Sequence, residues 1–288
     1  MRIYAGTSGY SFKEWRGSFY PEDLAQDQWL TYYADQLPVV EINNTFYRMP
    51  KAHVVEAWRD AVHDEFKFII KASRRITHIG RLKNIDEPLG YLLQRVELLG
   101  DKLGAVLFQL PPNAALNLER LTTFQSKLPD DLPVAFEFRH PSWYTPEVYE
   151  ALQQHKHALV VSHDEGQPPA DQIPENSLVY LRLRAESYNS RDLQGWLKKL
   201  RASNCENAFV FFKHEDAGAG PALAAKFLAL SNKPAAKRAP KRVAKKSKTD
   251  TRSSTKASTR SSTRSSTRAL PIRAGKKTSK KGSVKNSA

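Results

Sequence analysis

The sequence predicts a single (β/α)8 barrel followed by a disordered basic tail. Three observations predict it. Eight short β-type runs start about 29 residues apart, helix-type segments separate them, and the composition changes abruptly at residue 233. An open doubly wound sheet is the competing architecture and normally uses fewer strands. The expected boundaries are residues 1–232 for the barrel and 233–288 for the tail.

The strand candidates, in chain order, are Arg2–Thr7, Val39–Asn43, Phe66–Ser73, Ala105–Gln109, Val134–Arg139, Ala158–His163, Leu178–Arg184 and Ala208–Lys213. Val, Ile, Phe and Tyr dominate them, as β propensity requires. Between them, Leu30, Tyr33 and Leu37 share a helical face, as do Val54 or Val55, Trp58 and Val62. Thr145-Pro146-Glu147 reads as a helix start, with a capping Thr, Pro at the first position and an acid in the first turn. Leu193, Trp196, Leu197 and Leu200 form another apolar stripe, with Lys198, Lys199 and Arg201 in the dipole-favoured last turns. The link between the sixth and seventh strands contains Pro168, Pro169 and Pro174, which opposes a regular helix there.

Charge separates the chain into two unlike parts. Of its 288 residues, the last 56 hold 19 Lys and Arg and one acid, Asp250, for a formal charge of +18. Residues 1–232 hold 26 basic and 29 acidic groups, a formal charge of −3, and all 29 aromatic residues. One cysteine, Cys205, excludes an intramolecular disulfide framework. No apolar stretch approaches the roughly 20 residues that cross a bilayer, and the amino terminus lacks a secretory pattern. A cytoplasmic protein without a membrane partner is the expectation.

Parallel barrels carry their chemistry at the carboxyl ends of the strands. Alternation sets Glu41 and Asn43 opposite Val40 and Ile42, Glu137 and Arg139 opposite Phe136 and Phe138, and Tyr180, Arg182 and Arg184 opposite Val179, Leu181 and Leu183. Helices must cover the apolar faces, so the polar faces should point into the lumen. Lys71 and Gln109 join that mouth, with His163 and Lys213 as further top-facing candidates. Glu137, Glu41 and Lys71 are the candidate catalytic groups. Asn43, Gln109, Arg139, His140, Arg182, Arg184, Tyr10 and Trp15 are the candidate substrate contacts. The competing reading is a self-satisfied ion-pair network, Glu41 with Lys71 and Glu137 with Arg182. Aromatics in the loops, including Tyr10, Trp15, Phe46, Tyr47 and Trp143, either face a sugar or base or cover the core.

Four collinear motifs make the chain recognisable. Gly6-Thr7-Ser8-Gly9-Tyr10, Glu41-Ile42-Asn43-Asn44-Thr45-Phe46-Tyr47, Leu107-Phe108-Gln109-Leu110-Pro111-Pro112 and Glu137-Phe138-Arg139-His140-Pro141-Ser142-Trp143 resemble the YecE-like family, domain of unknown function 72. Lys71 through Ile76-Thr77-His78 matches a further block. The resemblance implies a TIM-type barrel over nearly all of residues 1–230 and no particular reaction. Two segments depart from the family pattern: Lys213-His214-Glu215-Asp216 after the last strand and Arg184-Ala185 after the seventh.

The favoured ligand is a small anion, phosphorylated substrates included, because guanidinium forks match phosphate oxygens. Gly218 and Gly220 before the last helix form a candidate phosphate loop. A divalent metal is a second reading, with His163, Asp164, His214 and Asp216 as weak candidate ligands and water activation as its chemistry. Nothing has zinc-motif spacing.

The tail is too polar to offset its ordering entropy. Its Thr-Arg-Ser-Ser near-repeats and Lys pairs resemble linker-histone tails in composition. Arg252, Arg260, Arg264, Arg268, Lys276, Lys277, Lys280 and Lys281 are its candidate contacts to DNA or RNA backbone, through counterion release rather than sequence readout. That would place the protein at the nucleoid. Two function classes follow: a hydrolase for phosphorylated or sugar-containing substrates, or a non-enzymatic ligand-binding or scaffold barrel anchored to nucleic acid.

Overall fold

Alternating polar and apolar residues resolve into eight parallel strands that hydrogen-bond in chain order and close on themselves. The computed structural model describes residues 1–164, 173–185, 187–212 and 218–232, all within one unit, Met1–Ala236. The strands are β1 (Arg2–Thr7), β2 (Val39–Ile42), β3 (Lys67–Lys71), β4 (Leu103–Leu110), β5 (Val134–Phe138), β6 (Ala158–His163), β7 (Leu178–Leu183) and β8 (Asn207–Phe212). The helices outside them are α1 (Trp29–Gln36), α2 (Ala52–Asp60), α3 (Asp86–Glu97), α4 (Leu118–Gln125), α5 (Pro146–Gln154), α6 (Ser190–Ala202) and α7 (Ala219–Ser231). The barrel expectation is correct. No helix among the described residues is long and apolar enough to cross a membrane.

β1 and β6 match their expected bounds, and the others differ by a residue or two at their ends. Between β6 and β7 the described residues, Asp164 and 173–177, contain no helix, and Pro168 and Pro169 lie outside the described residues. On α2 it is Val55, not Val54, that is buried. Thr145 stands at the N-cap of α5 but its side chain makes no capping bond, which corrects the expected role. Asn189 caps α6 instead, accepting from the backbone N–H of Asp192 at 3.1 Å while Asp192 Oδ2 accepts from Asn189 N–H at 3.0 Å.

Alternation separates two apolar layers. Val40, Ile42, Phe136, Phe138, Val179, Leu181 and Leu183 face the helices, where they meet Leu121, Phe124, Leu193, Trp196 and Leu197. Val39, Ile69, Ala105, Leu107, Ala135, Tyr180, Phe209 and Phe211 face inward and fill the lower lumen. Glu41, Lys71, Gln109, Glu137 and Arg182 share the inward phase of their strands and lie one step nearer the carboxyl ends. The polar layer is therefore the upper storey of a filled barrel.

One seam is unusual. β1 and β2 pair in register only at Thr7 and Val40. The Tyr33 hydroxyl from α1 enters the seam, donating to the Val39 carbonyl and accepting from the Thr7 N–H, both at 2.9 Å. A Cβ on Gly6 would lie 1.9 Å from the Val39 carbonyl oxygen, so only glycine permits this closure.

Candidate functional site at the barrel mouth

Arg182 is the centre of the upper layer. Its Nη2 donates to Glu41 Oε1 and its Nη1 to Glu137 Oε2, each at 2.6 Å. Glu41 Oε1 also accepts from Asn43 Nδ2 at 2.8 Å, and Glu41 Oε2 accepts from the Tyr180 hydroxyl. On the outer side, Arg139 Nε donates to Glu137 Oε1 at 3.2 Å. Glu41 is 0% exposed, Glu137 5% and Arg182 6%. Charges this deep persist only when paired and hydrogen-bonded.

The proton states follow from these contacts. Burial pushes the Glu41 carboxyl up, but Arg182, the Tyr180 hydroxyl, Asn43 and Lys71 outweigh it and hold the pKa below the usual range. Glu137 has the same balance: burial raises it, and Arg182, Arg139 and Gln109 lower it further. Burial alone would lower Arg182, yet the two carboxylates leave its pKa raised. Tyr180 is pushed well up by burial and then by Glu41. At neutral pH this cluster is a carboxylate, guanidinium, carboxylate triad with a protonated phenol.

Lys71 stands apart from that triad. Among the described residues its Nζ is in no ion pair or hydrogen bond, and it lies 4.8 Å from the centroid of the Phe46 ring. Of the competing ion-pair reading, Glu137 with Arg182 is present, while Glu41 pairs with Arg182 rather than with Lys71. Burial first, then the Arg182 and Arg139 charges, lower the Lys71 pKa to about 8, with Glu41 and Glu137 offsetting part of the effect. His78 meets the same Phe46 ring edge-on at 4.7 Å. Burial, Lys71 and Arg139 lower its pKa, so its ring is neutral near pH 7.

Gln109 completes the floor. It is 3% exposed and in register with Glu137, but its Nε2 has no acceptor at hydrogen-bond geometry. Its side chain still lies close enough to the Glu137 carboxylate to help hold that pKa down. The rim carries exposed Tyr47 (73%), Ile79 (68%) and Tyr144. It also carries backbone strain, with positive φ at Arg81, Leu82 and Asn84 after the π-turn Arg75–Ile79.

The other sequence candidates fall in different places. Arg184 reaches the rim, 3.6 Å from Asp164 in an ion pair. His140 accepts from the Ser142 N–H at its Nδ1 and caps the turn Pro141–Trp143. Trp15 is fully buried among Phe12, Phe19 and Tyr20, and Tyr10 packs against Tyr33 in the outer core. Both are corrected from ligand contacts to core cover, because their rings complete apolar packing rather than face the mouth. His163 has the outward phase of β6, 2.7 Å from the Tyr188 hydroxyl and against Trp196, which corrects its expected top-facing position. Among the described residues no group of three or more His, Cys, Asp and Glu side chains gathers. Gly218 caps α7 at φ +86, with Ser18 Oγ 2.7 Å from where a Cβ would sit, while Gly220 is buried in the first helical turn. Backbone conformation accounts for Gly218 without a ligand. Lys213, His214, Asp216 and every tail candidate lie outside the described residues.

Sequence reasoning passed over Tyr180 and His78 as site groups. Tyr180 shares the alternation phase of Arg182 and was visible by that signal. His78 reaches the mouth through the π-turn, which residue spacing does not signal.

Comparison with known proteins agrees with this architecture. The chain is 30% identical over 226 residues to the UPF0759 protein YunF of Bacillus subtilis, covering 74% of this chain and 78% of that protein. It is 33% identical over 113 residues to the UPF0759 protein YecE of Escherichia coli K12, covering 39% of this chain and 42% of that protein. A crystal structure of a DUF72 family protein from Thermotoga maritima superposes with a TM-score of 0.68 at 24% identity, covering 80% of this chain and 99% of that one, a likeness of fold. The family described as protein of unknown function DUF72 matches residues 4–248, and the chain belongs to it.

Proposed function

We propose that the barrel mouth binds a small anionic ligand, a phosphorylated one fitting best, with Arg139, Lys71 and Gln109 as its contacts. One observation carries this reading: the buried Gln109 Nε2, beside the Glu137 carboxylate, meets no acceptor at hydrogen-bond geometry among the described residues. Buried donors are nearly always satisfied, and an anionic oxygen seated over Gln109 would satisfy this one. Charge supports it. Arg182 is neutralised by Glu41 and Glu137, while among the described residues Lys71 has no ion-pair partner and Arg139 keeps an exposed guanidinium. Within that group, three cations face two carboxylates, a formal +1. Titration of the full-length protein with inorganic phosphate and sugar phosphates, followed by 31P NMR, tests it. Losing one charged hydrogen bond in Arg139→Ala should weaken binding by about tenfold or more. Phosphate affinity unchanged by that substitution would remove the reading.

A hydrolytic version gives Glu137 the role of base or electrostatic stabiliser rather than acid, because its carboxyl stays ionised. A panel of phosphoesters and glycosides, with Glu137→Gln as control, separates an enzyme from a ligand-binding barrel. In the same proposal, residues 233–288 hold DNA or RNA backbones through their 19 cations and bring the protein to the nucleoid. Deleting them should abolish retention on nucleic acid at physiological salt and leave the barrel folded. Full retention by residues 1–232 would defeat the tail's role.

A further inference from the structure

Lys71 is the half-buried nucleophile of the mouth that the ion-pair network does not use. It ends β3 inside the upper lumen, at the carboxyl end where barrels hold their reactive groups. Arg182 occupies both neighbouring carboxylates, and among the described residues no carboxylate forms an ion pair with the amine. The Phe46 ring walls the amine on one side, and His78 stands on the edge of the same ring. The unsatisfied Nε2 of Gln109 and the exposed guanidinium of Arg139 flank the layer from β4 and β5.

We infer that Lys71 forms an imine with a small carbonyl compound that also carries an anionic group. The inference rests on the anion-binding reading, which supplies Arg139 and Gln109 as the anchor for that group. Both donating arms of Arg182 are taken up by the two carboxylates, so the reacting amine is reached without breaking the triad.

The chemistry is redox-neutral and needs no co-reactant. The free amine attacks the carbonyl carbon, forming the carbon–nitrogen bond as the carbon–oxygen π pair moves to oxygen. The carbinolamine oxygen is protonated and leaves as water while the nitrogen lone pair closes the carbon–nitrogen double bond. Starting from the ammonium, a ketone and Lys–NH3+ give the protonated imine and water. Two of the ammonium's protons end in the water. In this inference His78, neutral, against the same aromatic ring and with its Nδ1 3.0 Å from Thr77 Oγ1, carries one of them from nitrogen to oxygen. A lysine whose pKa lies near 8 holds a substantial free-amine fraction at physiological pH, as Schiff-base lysines require.

The test uses the full chain, dihydroxyacetone phosphate as probe and borohydride to trap the imine, with peptide mass mapping. Reduced adduct on Lys71 should exceed that on surface lysines by about tenfold or more, since their free-amine fraction near neutral pH is far smaller. Lys71→Arg should lose the mapped adduct while keeping its circular dichroism spectrum. Inorganic phosphate should protect Lys71 in the wild type, and unphosphorylated dihydroxyacetone should label it weakly. If inorganic phosphate binds but adduct is spread over surface lysines with none favoured at Lys71, the imine inference is overturned and the anion site survives. If phosphate neither binds nor protects while Lys71 is still trapped, the anion reading fails and the lysine remains the reactive group. Absence of both removes both.

Discussion

Arg182 of β7 donates to Glu41 of β2 at 2.6 Å, across a lumen in which β8 and β1 stand between their strands. The pair joins residues 141 apart in sequence, and Glu137 on β5 holds the second arm of the same guanidinium. One side chain thus ties three strands from different parts of the barrel at the level where its chemistry should occur.

Removing the hub should be far costlier than removing the lysine beside it. Arg182→Met leaves two buried carboxylates without their cation, and breaking such a pair costs about 3–5 kcal/mol. Arg182→Lys should not restore stability, because a single ammonium cannot bridge both carboxylates with a planar fork. Urea unfolding of both variants checks this; a midpoint within error of wild type for Arg182→Met would contradict the network's structural weight.

Lys71→Met should behave in the opposite way. Among the described residues the half-buried amine has no ion-pair partner, so its loss removes a desolvated charge. Stability should change by less than about 1 kcal/mol or rise, while phosphate affinity falls. Paired urea and 31P NMR measurements distinguish this from a lysine that merely supports the fold, for which both would drop together.

Gly6→Ala should open the β1–β2 seam. The added Cβ would stand 1.9 Å from the Val39 carbonyl oxygen, which is backbone and cannot rotate away. The loss should reach about 3 kcal/mol or more, in the range of severe overpacking. Amide hydrogen exchange should show the lost protection concentrated at Thr7 and Val40, the one registered pair of that seam. Wild-type protection at both would show that the strands shift to accommodate the methyl.

Acid should weaken the protein through His157 before it reaches the carboxylates. His157 is buried, with Gln125 Nε2 3.0 Å from its Nδ1, and burial followed by His155 lowers its pKa from 6.5 to about 4. Because the folded value is depressed, the unfolded chain binds the extra proton first. The contribution is complete above pH 6.5 and is lost as pH falls towards 4, on the order of 3 kcal/mol in all. Glu41 and Glu137, also depressed, add their losses only below about pH 4.5, their unfolded value. Unfolding free energies measured from pH 7 to 4 should show this slope in the wild type and a flatter one in His157→Gln.

The alternation of Glu41, Glu137, Tyr180 and Arg182 with apolar neighbours determined by itself that a polar layer lines the inside of a barrel. A strand side chain has only two directions, and helices must cover the apolar one. The composition break at Lys233 was equally legible, since charge and aromatic content need no geometry. Tertiary structure alone decided who pairs with whom. Arg182, Lys71 and Arg139 look interchangeable in sequence, yet strand register and lumen depth gave Arg182 both carboxylates and left Lys71 without one. The same holds for Trp15, Tyr10 and His163, whose residue types suit a site but whose packing turned them into the outer core. Pairing and depth depend on distances across the barrel, and those arise only when strands remote in sequence close into one ring.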